Sequence, residues 1–179
     1  MKQCLLLVDI QNDYFKGGKM ELVGMKEAAL NAKRLLQKFR KKNTPVVHIQ
    51  HIATRAGATF FLPGTEGVEI NQIVSPLENE IVIDKHFPNS FRETSLLKVL
   101  KEMEIDELVI CGAMSHMCID TTTRAAFDLG FKCTIIKDAC ATRNLTIDNE
   151  TVEANKVHSA FMAALKGTFA EVKNTEAVL

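Results

Sequence analysis

The sequence predicts one α/β domain over residues 1–179, a three-layer sandwich with a six-stranded, mostly parallel sheet and helices on both faces. Short apolar runs alternate along the chain with segments of helical periodicity, the pattern of a parallel sheet joined by crossover helices. The runs are nearly continuous in Leu, Val and Ile, as strands buried on both faces require. No linker or repeat divides the chain, and 179 residues suffice for one sizeable core.

Cys4 to Ile10 reads as the first strand, interrupted only by Asp9 near its carboxyl end. A loop follows through Gln11-Asn-Asp-Tyr-Phe15 and Gly17-Gly18. Ala28, Ala29, Ala32, Leu35, Leu36 and Phe39 recur at helical spacing between Met25 and Lys42. The basic cluster Lys38, Arg40, Lys41 and Lys42 suits the negative end of that helix. Pro45 to Gln50 is a second strand. Residues 52–80 form a long connection with Gly57, Pro63-Gly64 and Gly67, a length found in lids and binding loops. Glu80 to Lys85 is the third strand, Ser95 to Met103 a short helix and Glu107 to Cys111 the fourth strand. A tight turn opened by Gly112 leads into a helix from about Met117 to Gly130, whose first turn holds Cys118. Lys132 to Ile136 is the fifth strand, Thr151 to Leu165 the last helix and Thr168 to Val172 a short sixth strand.

Composition narrows the class. Lys plus Arg and Asp plus Glu both count 22, so the net charge is zero. That balance offers no basic surface for nucleic acid and little opposition to self-association. No stretch reaches the apolar length of a membrane span, so no membrane partner is expected. The apolar run of Met1-Lys-Gln-Cys-Leu-Leu-Leu-Val-Asp9 is too short for a secretory signal. Five cysteines without a CxxC pair argue against a disulfide framework or a zinc site, and the expected location is cytoplasmic.

Asp9, Lys85 and Cys118 each fall at or just beyond the carboxyl end of a strand, where open α/β sheets bind ligands. Singly, each has a plainer reading: an aspartate closing a turn, a surface lysine, an inert buried thiol. Together they suit covalent acyl transfer. Cys118 attacks a carbonyl, Asp9 takes the thiol proton and returns it to a leaving amine, and water hydrolyses the thioester. Lys85 stabilises the thiolate, and the backbone N–H groups of Met114 and Cys118 are candidate oxyanion donors. A helix start predicts a thiol more acidic than a free cysteine. Phe15, Phe60, Phe61 and Phe87 are candidates for an apolar pocket wall, and His116 for a substrate contact. A Cys118–His116 pair is the rival assignment, but it leaves Asp9 and Lys85 without a role. Arg124 reads as structural, and Cys111, Cys133 and Cys140 as small buried residues. A non-catalytic binding or scaffold protein of the same fold is one alternative, and a thiol redox protein using Cys118 is another.

Several motifs resemble those of the isochorismatase-like cysteine hydrolases, a Rossmann-like group. They are Leu7-Val-Asp-Ile-Gln-Asn-Asp13 with Phe15, Lys85 followed by Asn89-Ser-Phe91, and Cys111-Gly-Ala-Met-Ser-His-Met-Cys118. Ala125-Ala-Phe-Asp-Leu-Gly130 and Lys137-Asp-Ala-Cys-Ala141 complete the match. The resemblance implies an Asp9–Lys85–Cys118 triad and a cis peptide between Ala113 and Met114 that turns the Met114 N–H into the oxyanion hole. It also implies a small-molecule amide or ureide substrate, no cofactor, and a homo-oligomer, dimer or larger. Members that cleave the isochorismate vinyl ether typically lack the cysteine, so Cys118 points to C–N hydrolysis. Nicotinamidases hold a metal through an Asp-x-His motif after the second strand. Here no Asp lies between residues 14 and 83, and His48 and His51 face opposite sides of a strand. Both histidines therefore read as structural, and no metal is expected.

Overall fold

The computed structural model describes residues 2–179. Its first strand, β1 (Gln3–Val8), is buried on both faces. Leu5 and Leu7 enter one core while Cys4, Leu6 and Val8 enter the other, the period of two that an extended chain imposes. The chain continues through α1 (Met25–Lys41), β2 (Val46–His51), β3 (Ile81–Lys85), α2 (Leu96–Glu102) and β4 (Glu107–Ala113). It then forms α3 (Asp120–Asp128), β5 (Lys132–Ala141), β6 (Leu145–Ile147), β7 (Glu150–Val152), α4 (Ala154–Leu165) and β8 (Glu171–Lys173). The main sheet has six strands in the order β3-β2-β1-β4-β5-β8, and every pairing in it is parallel.

One face is covered by α1, whose Ala28, Ala29, Ala32, Leu35, Leu36 and Phe39 meet Leu5, Leu7, Val109 and Cys111. Small residues on its inner side bring the helix close to the sheet, and Asn31 ties it to β5 by donating to the Asp138 carbonyl at 2.8 Å. The other face carries α2, α3 and α4 through Leu96, Leu100, Ala126, Met162 and Leu165. Among the described residues, no helix is long and apolar enough to cross a membrane.

Three expectations are corrected. β4 and β5 run on to Ala113 and Ala141, because a register irregularity between Ile110 and Gly112 absorbs the polar Lys137-Asp138 step inside β5. The last helix begins at Ala154 rather than Thr151, because Leu145–Ile147 and Glu150–Val152 pair as an antiparallel hairpin. Its two turn residues, Asp148 and Asn149, both have positive φ (47° and 64°), which suits a tight two-residue hairpin. The last strand of the sheet is Glu171–Lys173, slightly later than the sequence indicates.

The chain reverses its direction of growth across the sheet between β1 and β4, the kind of switch point at which open α/β sheets bind ligands. Gly112 pairs with Val8 there. At φ +124°, a side chain on Gly112 would run into the Val8 carbonyl, so glycine permits the close approach of the two strand ends. The connection 52–80 is held from below by Asp13, which accepts from the Phe61 N–H at 2.6 Å and the Lys19 N–H at 3.1 Å. Gly67 packs where a Cβ would overlap the Asp13 carboxylate.

The start of β3 is anchored by charge. Arg40 donates twice to the Glu80 carboxylate at 2.7 Å, His48 Nε2 lies 3.0 Å from it, and the Leu77 N–H donates at 2.9 Å. Burial opposes ionisation, but these donors outweigh it and pull the Glu80 carboxyl down to about 2. A folded pKa below the unfolded one gives stability that is present above roughly pH 4.3 and lost as pH falls toward 2. Glu80→Gln is therefore expected to lower the melting temperature by several degrees at neutral pH. The gap to wild type should shrink toward about pH 3. Thermal melts across pH test this, and a gap independent of pH would refute it.

Candidate active site

Asp9 stands immediately after β1 in the left-handed region (φ 52°) and is fully buried. A non-glycine residue there is strained, and such strain clusters at functional positions. Its N–H donates to the Ile49 carbonyl at 3.1 Å, which fixes the turn. Lys85, the last residue of β3, is also fully buried, and its Nζ lies 2.8 Å from Asp9 Oδ2. The ammonium also donates to the carbonyls of Phe87 at 3.2 Å and Pro88 at 3.4 Å. Apart from the ion pair, neither Asp9 carboxylate oxygen has a hydrogen-bond partner among the described residues. Lone pairs are therefore free to receive a proton.

Cys118 is 3% exposed and sits in a π-helical turn, Ser115–Ile119, that precedes α3. The sequence places it in the first turn of an α-helix; the wider turn is a correction, and π turns recur at functional sites. A carboxylate oxygen of Asp9, a ring nitrogen of His51 and the Cys118 sulfur lie within 4.8 Å of one another. The turn follows a cis Ala113–Met114 peptide. Ser115 ties it down by donating to the Ala141 carbonyl at 3.2 Å and pairing with His158 Nδ1 at 2.8 Å. Among the described residues, neither the Met114 nor the Cys118 N–H donates to a loop or turn carbonyl.

The acidic thiol expected at a helix start is not what the surroundings produce. Burial raises the Cys118 pKa first, the Asp9 carboxylate raises it further, and Lys85 opposes both, leaving the thiol up at about 12. Burial lowers Lys85, but the Asp9 and Cys118 charges outweigh it and the ammonium is held protonated. The resting pair is thus a protonated thiol facing a carboxylate–ammonium pair.

His51 belongs to this cluster, which corrects its reading as a structural residue. Its Nδ1 is 3.4 Å from Lys85 Nζ and 3.9 Å from Asp9 Oδ2. Burial lowers its pKa, with Lys85 adding to the effect against Asp9, so the ring is neutral at pH 7. His51 pairs with Lys85 in the β2–β3 register, so a lysine reaching from β3 to Asp9 must pass beside it. His48, three residues earlier on the opposite side, points at Glu80 as a structural histidine does. The Asp9–His51–Cys118 donors are a poor metal set while the Lys85 ammonium stands among them, because a second cation would meet it at short range.

The predicted pocket residues divide. Phe61 is buried and packs at 5.8 Å from the His51 ring, with Phe60 4.9 Å from Phe61. Tyr14, read only as loop, packs 4.6 Å from Phe61 and 6.0 Å from Phe60. Phe15 instead borders an open polar cleft of about 650 Å³ with Asn12, Lys16 and Glu66, which none of Asp9, Lys85 and Cys118 lines. The Phe87 ring is covered by the Arg92 guanidinium at 3.6 Å, so its carbonyl rather than its ring meets the cluster. His116 Nδ1 is engaged by Thr142 Oγ1 at 2.6 Å. Arg124 pairs with Asp120 at 3.0 Å on the same helix, a structural role as expected.

Residues 3–177 match the Isochorismatase domain family. The chain is 54% identical over 179 residues to YddQ, an uncharacterized isochorismatase family protein of Bacillus subtilis, covering 100% of this chain and 99% of that one. A crystal structure of an isochorismatase hydrolase from Oleispira antarctica superposes with a TM-score of 0.95 at 49% identity, covering 99% of this chain and 95% of the other. Streptothricin hydrolase of Streptomyces noursei is 33% identical over 144 residues, 80% of this chain and 51% of that protein. Fold and comparisons together define the class: an isochorismatase-family hydrolase built on a six-stranded parallel sheet with helices on both faces. The chain belongs to the isochorismatase family.

Proposed function

We propose that this protein hydrolyses the C–N bond of a small amide or ureide through a thioester on Cys118, with Asp9 and Lys85 completing a triad. The observation that carries the reading is the 2.8 Å Asp9–Lys85 ion pair, sealed from solvent beside a thiol. Burying such a pair costs several kcal/mol per ion in desolvation, so two apolar residues would serve stability as well. A role in chemistry accounts for its presence.

As Cys118 Sγ bonds to the substrate carbonyl carbon, its proton passes to Asp9, and the carbonyl π electrons move onto oxygen. The N–H groups of Met114 and Cys118 donate to that oxyanion. Collapse expels the amine, which takes the proton from Asp9, and leaves an acyl-Cys118 thioester. Asp9 then accepts a proton from water as the water attacks, and returns it to the Cys118 sulfur as the C–S bond breaks, which releases the acid and restores the free thiol and the carboxylate. Lys85 supplies fixed positive charge beside the sulfur while it carries negative charge. A thiol this basic activates only in concert with proton transfer, so Asp9 acts as base during attack rather than beforehand. The name of streptothricin hydrolase, a relative over 80% of this chain, supports a hydrolytic reaction. A redox role fits less well, because redox-sensing thiols are acidic and accessible while Cys118 is neither.

The test is an ammonia-release screen of small amides and ureides, with acid-quenched samples weighed by intact-mass spectrometry. Turnover with an acyl adduct on wild type, and neither on Cys118→Ala, is the expected result. No turnover and no adduct across the panel would favour a non-catalytic binding protein.

A further inference from the structure

Ser115 opens the π-helical turn that carries Cys118, and it is fully buried. Two groups meet its hydroxyl: the Ala141 carbonyl at the end of β5, at 3.2 Å, and His158 Nδ1 on α4, at 2.8 Å. The hydroxyl has one proton, and a carbonyl can only accept. Both bonds form in one arrangement alone, in which Ser115 donates to Ala141 and the His158 Nδ1–H donates to Ser115 Oγ. Burial first, and then the Lys137 charge, lowers the His158 pKa, so the ring is neutral at pH 7 and has a single proton to place. The relay puts that proton on Nδ1.

Packing does not account for a histidine at this position. His158 is half-buried and lines two cavities, of about 390 and 280 Å³, whose walls also share Asp138 and Ser159. A side chain bordering two openings fills little space, and a leucine would serve a helix packed on a sheet at a lower desolvation cost. The same face of α4 reaches the turn again three residues on, where Phe161 packs edge-on against the His116 ring at 6.0 Å. A ring contact tolerates sliding, whereas hydrogen bonds through Ser115 fix a distance and an angle.

We infer that His158 is a positioning residue for Cys118: through Ser115 it pins the nucleophile's turn between β5 and α4 and so holds the thiol against Asp9. The role rests on the hydrolase reading above and adds to it the device that aims the sulfur. With the relay cut, the turn loses its side-chain anchor and the sulfur is no longer kept deep beside the carboxylate. Misplacing a reacting atom by about 1 Å costs up to roughly 10²-fold in rate.

The first readout is taken on wild type. Two-bond proton–nitrogen correlation spectra of the isotope-labelled protein report the tautomer of each of its five histidines. The His158 ring, identified by its disappearance in His158→Asn, should carry its proton on Nδ1. The second readout is the rate of Cys118 alkylation by iodoacetamide, below the melting range of every variant. His158→Leu and Ser115→Ala should each raise it about three- to tenfold, the worth of one hydrogen bond, by releasing the buried thiol. The double variant should react no faster than either single one, since both cut the same relay. His158→Asn, whose amide N–H stands where Nδ1–H stood, should restore the wild-type rate. With a substrate from the amide screen, kcat should fall roughly tenfold or more in both single variants while KM holds. A residue that merely supports the fold lowers the melting temperature and leaves these chemical readouts at their wild-type values. An Nε2–H tautomer, alkylation no faster in either single variant, or additive gains in the double variant overturns the inference. The two readings fail separately. Turnover with a kcat indifferent to His158→Leu and Ser115→Ala removes this inference alone, and the expected alkylation response without turnover removes the hydrolase reading alone.

Discussion

Asp9→Asn is expected to abolish most hydrolysis while making Cys118 easier to alkylate. The amide cannot accept the thiol proton, so kcat should fall by roughly 10²–10⁴, the usual contribution of a general base. The same change removes the carboxylate that raises the thiol pKa and leaves Lys85, which lowers it. More thiolate is then present near neutral pH, and iodoacetamide should modify Cys118 about tenfold faster or more, one tenfold step for each unit the pKa falls. Lys85→Met should act in the opposite sense on alkylation, which slows, but in the same sense on hydrolysis, which is lost. Peptide mass spectrometry of Cys118 against pH, beside steady-state rates, gives both readouts. Slower alkylation in Asp9→Asn would show that the charge account of the thiol is wrong, and normal turnover would show that Asp9 carries no proton.

The second large effect is on stability. Removing one member of a buried ion pair strands the other, at a cost of roughly 3–5 kcal/mol. For a chain of this size each kcal/mol is worth about 2–4 °C, so Asp9→Asn and Lys85→Met should each melt on the order of 10 °C early. The double variant leaves no stranded charge and should melt well above the sum of the two losses, close to wild type. Melting curves of the four proteins form a double-mutant cycle. Simple additivity would mean that the pair is not electrostatically coupled, and the concerted role given to Lys85 would lose its support.

The strands were legible because burial on both faces leaves an unbroken apolar signature, as in Cys4 to Val8 and Leu108 to Cys111. The placement of Asp9, Lys85 and Cys118 at strand ends was legible too, since each follows such a run. Strand ends were less so. Lys137-Asp138 looks like a terminator, and only the irregular pairing opposite Gly112 carries β5 past it. The hairpin had a signal in Asp148-Asn149 that was hidden inside an apparent helix start. The thiol's basicity had none, because helix position is local while depth of burial is a property of the whole sheet. His51 escaped for a similar reason. Its nearness to Asp9 comes from the path Lys85 takes across β2, which sequence spacing does not encode. Tyr14 was overlooked beside Phe15, though the ring that turns inward is set by the 3₁₀ turn Asn12–Tyr14.

The sheet order places the two partners of the ion pair on strands of unequal security. Asp9 follows a central strand flanked on both sides, whereas Lys85 ends β3, an edge strand that pairs with β2 alone among the described residues. Outer strands open at lower free energy than the core. The cation of the proposed triad is thus mounted on an edge strand, which is expected to open before the rest of the sheet, and the other end of that strand is fastened by the Glu80 cluster. Loss of the proposed activity and loss of fold are consequently expected to be separate events. Low denaturant is therefore expected to abolish the proposed activity reversibly, by releasing one strand, before the rest of the sheet unfolds.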